Sequence, residues 1–433
     1  SETGNAVLCN DMHLALSMPS LWYEIHLDAG DDLQVSGVSL PGVPMVLVGH
    51  NARIAWGMTL AYTDAEDLFI EQVNSQNQYL YQDEWRDVEV LDESITVKGR
   101  KEPHIEQVML THHGPIISDV VGDAEQRLAV NSMALRPSPA FDGWLRLNQA
   151  VTWNDFVEAM GLIHAPQLNV AYADVENNIG YWVTGKVPVR AKGLGNVPVP
   201  GWSADYEWIG EVPFEEMPHA LNPEVGYTIS CNHKIVPDDY PHHLGSIWMN
   251  GYRARRLTEL IEGQDKLSLQ DHQKFHMDVK CIPALELIAL LEDFSDPDAD
   301  VNLVLTLLAE WDGYLTPESV PGTLYEVLRY TLVRNIFEPG LGDELATRFM
   351  GEGFHPVLNH SNEFYGQDTV ILLRLLVDSD SWWLQQAGGR DALVKKSIQQ
   401  ALIWLRERLG PDPEDWQWGK IQQVNFEHPL GLQ

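Results

Sequence analysis

The period of the apolar residues changes part-way along the chain, and this change limits the fold more than any single motif. Up to about residue 255, apolar and polar positions mostly alternate. LWYEIHL (21–27) alternates as a half-buried strand does, and QVSGVSLPGVPMVLVGH (34–50) is β-rich and punctuated by Gly37, Pro41, Gly42 and Pro44. IAWGMTL (54–60), EDLFIEQV (66–73) and WRDVEVLDESITVKG (85–99) continue as short strands of a meander. WNDFVEAMGLI (153–163) reads as a helix with a polar start. LNVAYADVENNIGYWVTGKVPV (168–189) reads as a hairpin turning at Glu176-Asn177-Asn178. Beyond about 255, ARRLTELIEG, LSLQDHQKFHMDV, PALELIALLEDF, VNLVLTLLAEW, TLYEVLRYTLVRNIF and DTVILLRLLV all place apolar residues at helical spacing, and ALVKKSIQQALIWLRERLG (392–410) is a long amphipathic helix stopped by Gly410 and Pro411. Strands precede helices and no βαβ alternation runs through the chain, so an α+β layered fold is expected rather than a doubly wound parallel sheet.

Composition narrows the partners. The formal net charge is −35, from 63 acidic against 28 basic residues. Such a surface repels nucleic acid and anionic membrane. No apolar run is as long as a membrane span, and the first residues show no basic region followed by an apolar one, so no signal peptide is read there. The three cysteines, Cys9, Cys231 and Cys281, form no CxxC pattern and are expected to be buried thiols.

The chemistry-bearing stretches are local. P-loop, Rossmann glycine, HExxH and GxSxG signatures are absent. Ser1 invites a reading as a nucleophile that uses its own α-amine as base. His13, in NDMH (10–13), is either a packed polar side chain or a catalytic-site residue. Asp64, Glu66 and Asp67 are either a solvated turn or a calcium loop, since hard cations take several oxygens from a short segment. The pairs His112-His113 and His242-His243 suggest zinc, but neighbours on a strand point to opposite faces, which speaks against a shared metal. Asn232, taken to follow a strand, is either a turn residue or an amide donor aimed at an oxyanion, and Arg253, Arg255 and Arg256 are either helix-start charges or part of a site.

In combination these segments resemble the penicillin acylase and acyl-homoserine lactone acylase family of N-terminal-nucleophile hydrolases. The resemblance rests on TGNAVLCNDMHL, LPGVPMVLVGHNARIAWGMT, THHGPII, APQLNVAYADVENNIGY, PVPGW, TISCNHKIVPDDYP, GYRARRL, AEWDG and FEHPLG, which run from residue 3 to 431. It implies an α+β fold of the N-terminal-nucleophile hydrolase type, a four-layer αββα sandwich with an added helical region. Residues 1–254 would form the β-rich core part, 255–415 the helical region, and 416–433 would return toward the core sheet.

The resemblance further implies an amide hydrolase that removes an apolar acyl group from a small amide such as a β-lactam, an acyl-homoserine lactone or a lipopeptide. A precursor would cleave itself into a short and a long chain, and the new N-terminal serine of the long chain would form the acyl-enzyme. Gly4 matches the family's turn glycine, so Ser1 falls on an ordinary turn serine. The nucleophile is expected about one strand upstream, outside these residues, and the chain alone is expected to be inactive. His13 would orient the nucleophile. The backbone N–H of Leu60 and the side chain of Asn232 would form the oxyanion hole. Arg256, with Arg253 as runner-up, would be the site arginine. Leu14, Val48, Met58, Phe141 and Leu168 would line the acyl pocket. Asp64, the carbonyl of Glu66 and Asp67 match a structural calcium loop, while the chemistry itself needs no cofactor. Expected partners are the small amide and the short chain of the same precursor, with no nucleic acid and no membrane span, and the expected location is periplasmic or extracellular. The alternative is a non-catalytic folded fragment or a ligand- or partner-binding module.

Overall fold

The computed structural model describes residues 1–14, 16–121, 126–355, 359–362, 364–426 and 428. They form two compact units: Ser1–Met12 with Leu21–Trp248, and His13–Ser20 with Met249–Gln433. The main boundary between them falls at 248/249, between the first unit's last strand, ending at Leu221, and the second unit's first helix, starting at Tyr252.

A seven-stranded sheet organises the first unit. In spatial order its strands are Tyr23–Asp28, Gln34–Ser39, Val48–Asn51, Ile54–Leu60, Leu168–Asp174, Ile179–Val183 and His219–Leu221, and every neighbouring pair is antiparallel. The hairpin read from 168–189 is present, and Ala173 pairs with Ile179. Its turn is held by the Asp174 carboxylate, which accepts bonds from the backbone N–H groups of Glu176 and Asn178. An aspartate whose carboxylate accepts from backbone N–H groups and an Asn177 at φ 69° are what a tight turn here requires.

One face of the sheet is covered by two helices, Ala140–Gln149 and Trp153–Leu162. The second starts with a capping box in which the Thr152 hydroxyl accepts from the Asp155 N–H and the Asp155 side chain reaches back to the cap backbone. Ile54, Trp56, Val170 and Tyr172 from the sheet pack with Trp144, Leu147, Phe156 and Met160 from the helices, all buried. A smaller core of Ala61, Val183, Val187, Val212, Met217 and Leu244 anchors the irregular segment 222–248, with Ile235, Val236 and Trp248 packed against it.

The second unit is mainly helical. Its helices include Tyr252–Glu262, Leu269–His276, Ile282–Leu291, Ala299–Ala309, Tyr365–Val377 and Arg390–Leu409, together with Val320–Phe349, which is broken by a non-helical Gly342 at φ 76°. Each apolar period read beyond residue 255 corresponds to one of them. Leu324, Leu328, Leu332 and Ile336 pack with Leu393, Ile398, Leu402 and Leu405 in one buried cluster. Trp416 is fully buried in that cluster, and Trp418 and Gly419 donate to the carbonyls of Ser319 and Pro317. The beginning of 416–433 thus packs within the helical unit, held by the indole. Within the HPLG stretch, residues 429–431 lie outside the described residues.

No described helix is long and apolar enough to cross a membrane. The cysteines differ from the uniform burial expected of them: Cys231 is buried, Cys281 half-buried and Cys9 exposed.

Candidate active site

The strand Ile54–Leu60 is the framework of the site in the β-rich unit. Its alternation sends Ile54 and Trp56 into the helix-covered core and leaves Gly57 and Thr59 on the other face. Gly57 is required there, because a Cβ at this position would lie 2.7 Å from the Cβ of Asn10. Asn10 uses that closeness: its Nδ2 donates to Met58 O at 3.0 Å, and its Oδ1 accepts from Met58 N at 3.2 Å. Ala61 N donates to Gln167 O across the sheet. Antiparallel alternation then turns the Leu60 N–H to the opposite edge, the one on which Met58 N meets Asn10.

Asn232 arrives at the same strand end. It lies in the irregular segment rather than after a strand, at φ 62°. This left-handed backbone is one that asparagine tolerates better than most residues. Its Nδ2 donates to Leu60 O at 3.0 Å. The adjacent Ser230 hydroxyl is 2.5 Å from Thr59 Oγ1. Asn169, buried on the neighbouring strand, points its Nδ2 at Thr59 Oγ1 (3.3 Å) and Leu60 O (3.4 Å), while its Oδ1 is buried with no hydrogen-bond partner among the described residues. The structure thus joins Leu60 and Asn232, the two expected oxyanion donors, through one carbonyl. It adds Asn10, Asn169, Thr59 and Ser230, which the sequence reading left unassigned. Asn10 stands in NDMH beside His13, with nothing in the local pattern that marks it out. Asn169 had no signal, being one polar residue within an apolar strand.

His13 and the expected arginine belong to the helical unit. Arg253 Nη1 lies 3.4 Å from His13 Nδ1. Arg256 is held elsewhere: its Nε and Nη2 each donate to the Asp278 carboxylate at 2.8 Å, and the fork keeps Asp278 below the usual carboxylate range. Of the two arginines weighed, Arg253 is the one beside His13.

The expected acyl-pocket residues differ in burial. Leu168 and Met58 pack in the sheet–helix core, Val48 is half-buried in its strand, Phe141 is 57% exposed on the first helix, and Leu14 is exposed in the helical unit.

At the acidic loop, Asp64 and Glu66 border a polar cleft of about 210 Å³ with Ser132 and Gln167. Asp67, however, is already neutralised. Arg190 grips its carboxylate by Nε (2.8 Å) and Nη2 (2.9 Å), and the Trp208 indole donates to Oδ2 at 2.5 Å. Both side chains of this ion pair are 4% exposed. Arg190 Nη2 also reaches Asp64 Oδ1 at 3.3 Å, Glu66 accepts from the Ser132 hydroxyl at 2.6 Å, and burial raises the Asp64 carboxyl above its ordinary value. With Asp67 engaged by a guanidinium that also reaches Asp64, the donor set in this arrangement does not fit the ion.

Ser1 stands in an exposed turn with Gly4 at φ 77°, its hydroxyl donating to Asn5 O.

Comparison with known proteins gives a consistent result. The profile of the penicillin amidase family matches residues 1–433. The chain is 28% identical to acyl-homoserine lactone acylase QuiP of Pseudomonas aeruginosa, over 99% of this chain and 53% of the relative. It is 28% identical to the penicillin acylase 2 proenzyme of Pseudomonas sp. strain SE83, over 100% of this chain and 54% of the relative. It therefore spans about half the length of these curated relatives. A thermostable penicillin G acylase from Alcaligenes faecalis superposes with a TM-score of 0.76 at 23% identity, covering 94% of this chain and 76% of that one, which establishes the α+β fold the two share.

Proposed function

This chain belongs to the penicillin amidase family, and on that premise we propose that it is part of a hydrolase that removes an apolar acyl group from a small linear amide. The supporting observation is the convergence of Leu60 and Asn232 at the end of one strand. A backbone N–H and a side-chain amide at a fixed separation are the donors that a tetrahedral oxyanion requires. The Asn232 bond to Leu60 O commits one amide N–H and sets the direction of the other, so the donor is oriented before substrate arrives.

The nucleophile in this reading is a serine beyond these residues. Ser1 faces its own turn, and the motif spacing puts the family's serine about one strand before Gly4. That serine attacks the amide carbonyl, its α-amine takes the proton, the amine product leaves, and water releases the acid from the acyl-enzyme. The resemblance gives His13 the task of orienting the serine. In this reading the chemistry needs no cofactor, the short chain of the same precursor is the partner, the protein works in the periplasm or outside the cell, and the 433-residue chain alone does not turn over substrate. The relatives' names point to acyl-homoserine lactones and penicillins as the amides to try first.

The test uses the intact precursor with a panel of N-acyl-homoserine lactones and penicillins. Self-cleavage before a serine upstream of residue 1, followed by release of free acid, is expected. In that protein Asn232→Ala should lower kcat by about 10²–10³ while the fold persists. If the Asn232→Ala precursor cleaves normally and hydrolyses as fast as the wild type, the oxyanion assignment is removed.

A further inference from the structure

Besides the strand end that Asn232 meets, the β-rich unit gathers two histidines and two carboxylates that the proposed reaction does not use. The strand His104–Thr111 ends just before them, so His112 and His113 occupy a turn instead of continuing the strand. Opposite-facing side chains, the ground for doubting a shared metal from the sequence, do not arise. The two rings lie side by side with centroids 3.8 Å apart. Phe69 stacks flat on His113 at 3.7 Å, and Tyr79 and Tyr81 flank His112 at 5.5 and 4.3 Å, which fixes both imidazoles in place.

Both rings aim Nε2 at the same oxygen: Glu207 Oε1 is 3.3 Å from His112 and 3.1 Å from His113. Ligand atoms around tetrahedral zinc, at about 2.0–2.2 Å from the ion, are themselves about 3.3 Å apart. On its other side His113 Nδ1 meets Glu71 Oε1 at 2.8 Å, and the same oxygen accepts from the Thr111 hydroxyl. A neutral imidazole has a single N–H. If Nδ1–H serves Glu71, the Nε2 lone pair of His113 faces a carboxylate oxygen, and something positive must lie between them. Two carboxylates, Glu71 and Glu207, thus meet the same pair of imidazoles. Glu71 is fully buried, and its second oxygen has no partner among the described residues. One divalent cation balances the charge of the two carboxylates.

We propose that His112 Nε2, His113 Nε2 and a Glu207 carboxylate oxygen bind a single transition-metal ion, with Zn²⁺ the best match to two imidazoles and one carboxylate. Glu71 is then the outer carboxylate that fixes the tautomer and direction of His113. Water completes the tetrahedron from the solvent side, where His112 and Glu207 are 28% and 25% exposed. The ion fastens the turn after His104–Thr111 to the residue preceding the strand Trp208–Glu211, so its task is to hold structure rather than to carry out the hydrolysis.

The test strips the intact protein with EDTA, dialyses it, and adds ZnCl₂ alone, reading bound zinc by mass spectrometry of the metal and heat by titration calorimetry. About one zinc per chain and a raised melting temperature are expected, with tetrahedral visible bands when Co²⁺ replaces zinc. His112→Ala and Glu207→Gln should lose the bound ion. His112 is part-exposed, so that variant reports even if Glu207→Gln misfolds. No zinc above background in the wild type, or zinc retained in His112→Ala, overturns the proposal. So does a ¹⁵N spectrum of the zinc-treated wild type in which both ring nitrogens of His113 carry protons, because a proton then supplies the charge.

Discussion

The side-chain amide of Asn10 closes on both backbone groups of Met58, donating to its carbonyl and accepting from its N–H. The strand Val48–Asn51 pairs with Ile54–Leu60 only as far as Gly49 opposite Trp56. Asn10 takes over where that pairing stops. A single side chain therefore completes the edge of the strand that ends at Leu60.

This clamp leads to a stability prediction at two positions. Asn10→Ala removes two hydrogen bonds and should cost about 2 kcal/mol. Gly57→Ala drives a methyl group onto Asn10 and should cost about 1–3 kcal/mol by overpacking. Urea unfolding followed by tryptophan fluorescence measures both, and a midpoint unchanged from wild type would show the clamp to be incidental.

The two arginines should separate by readout. Arg256→Gln breaks the fork to Asp278 and should lower stability by about 1–2 kcal/mol at neutral pH. Because the ion pair depresses the Asp278 carboxyl, its contribution is present above the unfolded carboxylate value and fades as pH falls through the depressed one. The gap between wild type and variant should accordingly shrink as pH drops below about 4. In the intact precursor, Arg253→Gln, beside His13, should leave the melting temperature nearly unchanged and appear in kcat. Equal effects of the two variants on both readouts would contradict the assignment.

Cys281 should be a poor nucleophile in the native protein. Burial pushes its thiol up to about 11, so little thiolate exists at neutral pH. Its alkylation rate should climb about tenfold per pH unit until the thiol titrates. A thiol whose folded value lies above its unfolded one stabilises the fold fully below the unfolded value, about 8.5–9, and loses that contribution as pH rises toward the folded value. Mass-resolved iodoacetamide labelling between pH 7 and 10 checks this, and a plateau near pH 9 would mean that burial does not act on the group.

Gly342 offers a test of backbone strain alone. It sits at φ 76° and ψ 167°, a region open essentially to glycine, and a Cβ there meets nothing within 4 Å. Gly342→Ala should thus cost about 1–3 kcal/mol with no clash to relieve. A change of a few tenths would indicate that Val320–Phe349 can continue through this point as one helix.

What could be read before the structure was whatever local sequence determines. The period of Leu393, Ile398, Leu402 and Leu405 marks a helix because those residues share one face, and Gly410 ends it at φ 103°. The hairpin at Glu176–Asn178 is written in its turn residues. Leu60 and Asn232 were reached through resemblance, not through any pattern that links positions so far apart. The Arg190–Asp67 pair was invisible for a physical reason: three acidic residues in a short loop look the same whether metal or a guanidinium brought in from another segment neutralises them. The turn position of His112 and His113 was not legible, because it depends on where a strand stops, and strand ends are the least legible part of a sequence.

The pairing of Ile54–Leu60 with Leu168–Asp174 also sets a timetable for the newborn chain. The first four strands of the sheet leave the ribosome together, but the partner of the fourth follows more than a hundred residues later. At about 5–20 residues per second this interval lasts about 5–20 s. Throughout it the strand bearing Gly57 and Thr59 is a bare edge, open to pairing with another nascent copy. Slowing translation between residues 60 and 168 should lengthen that exposure, so the yield of soluble protein depends on elongation speed as well as on the final stability.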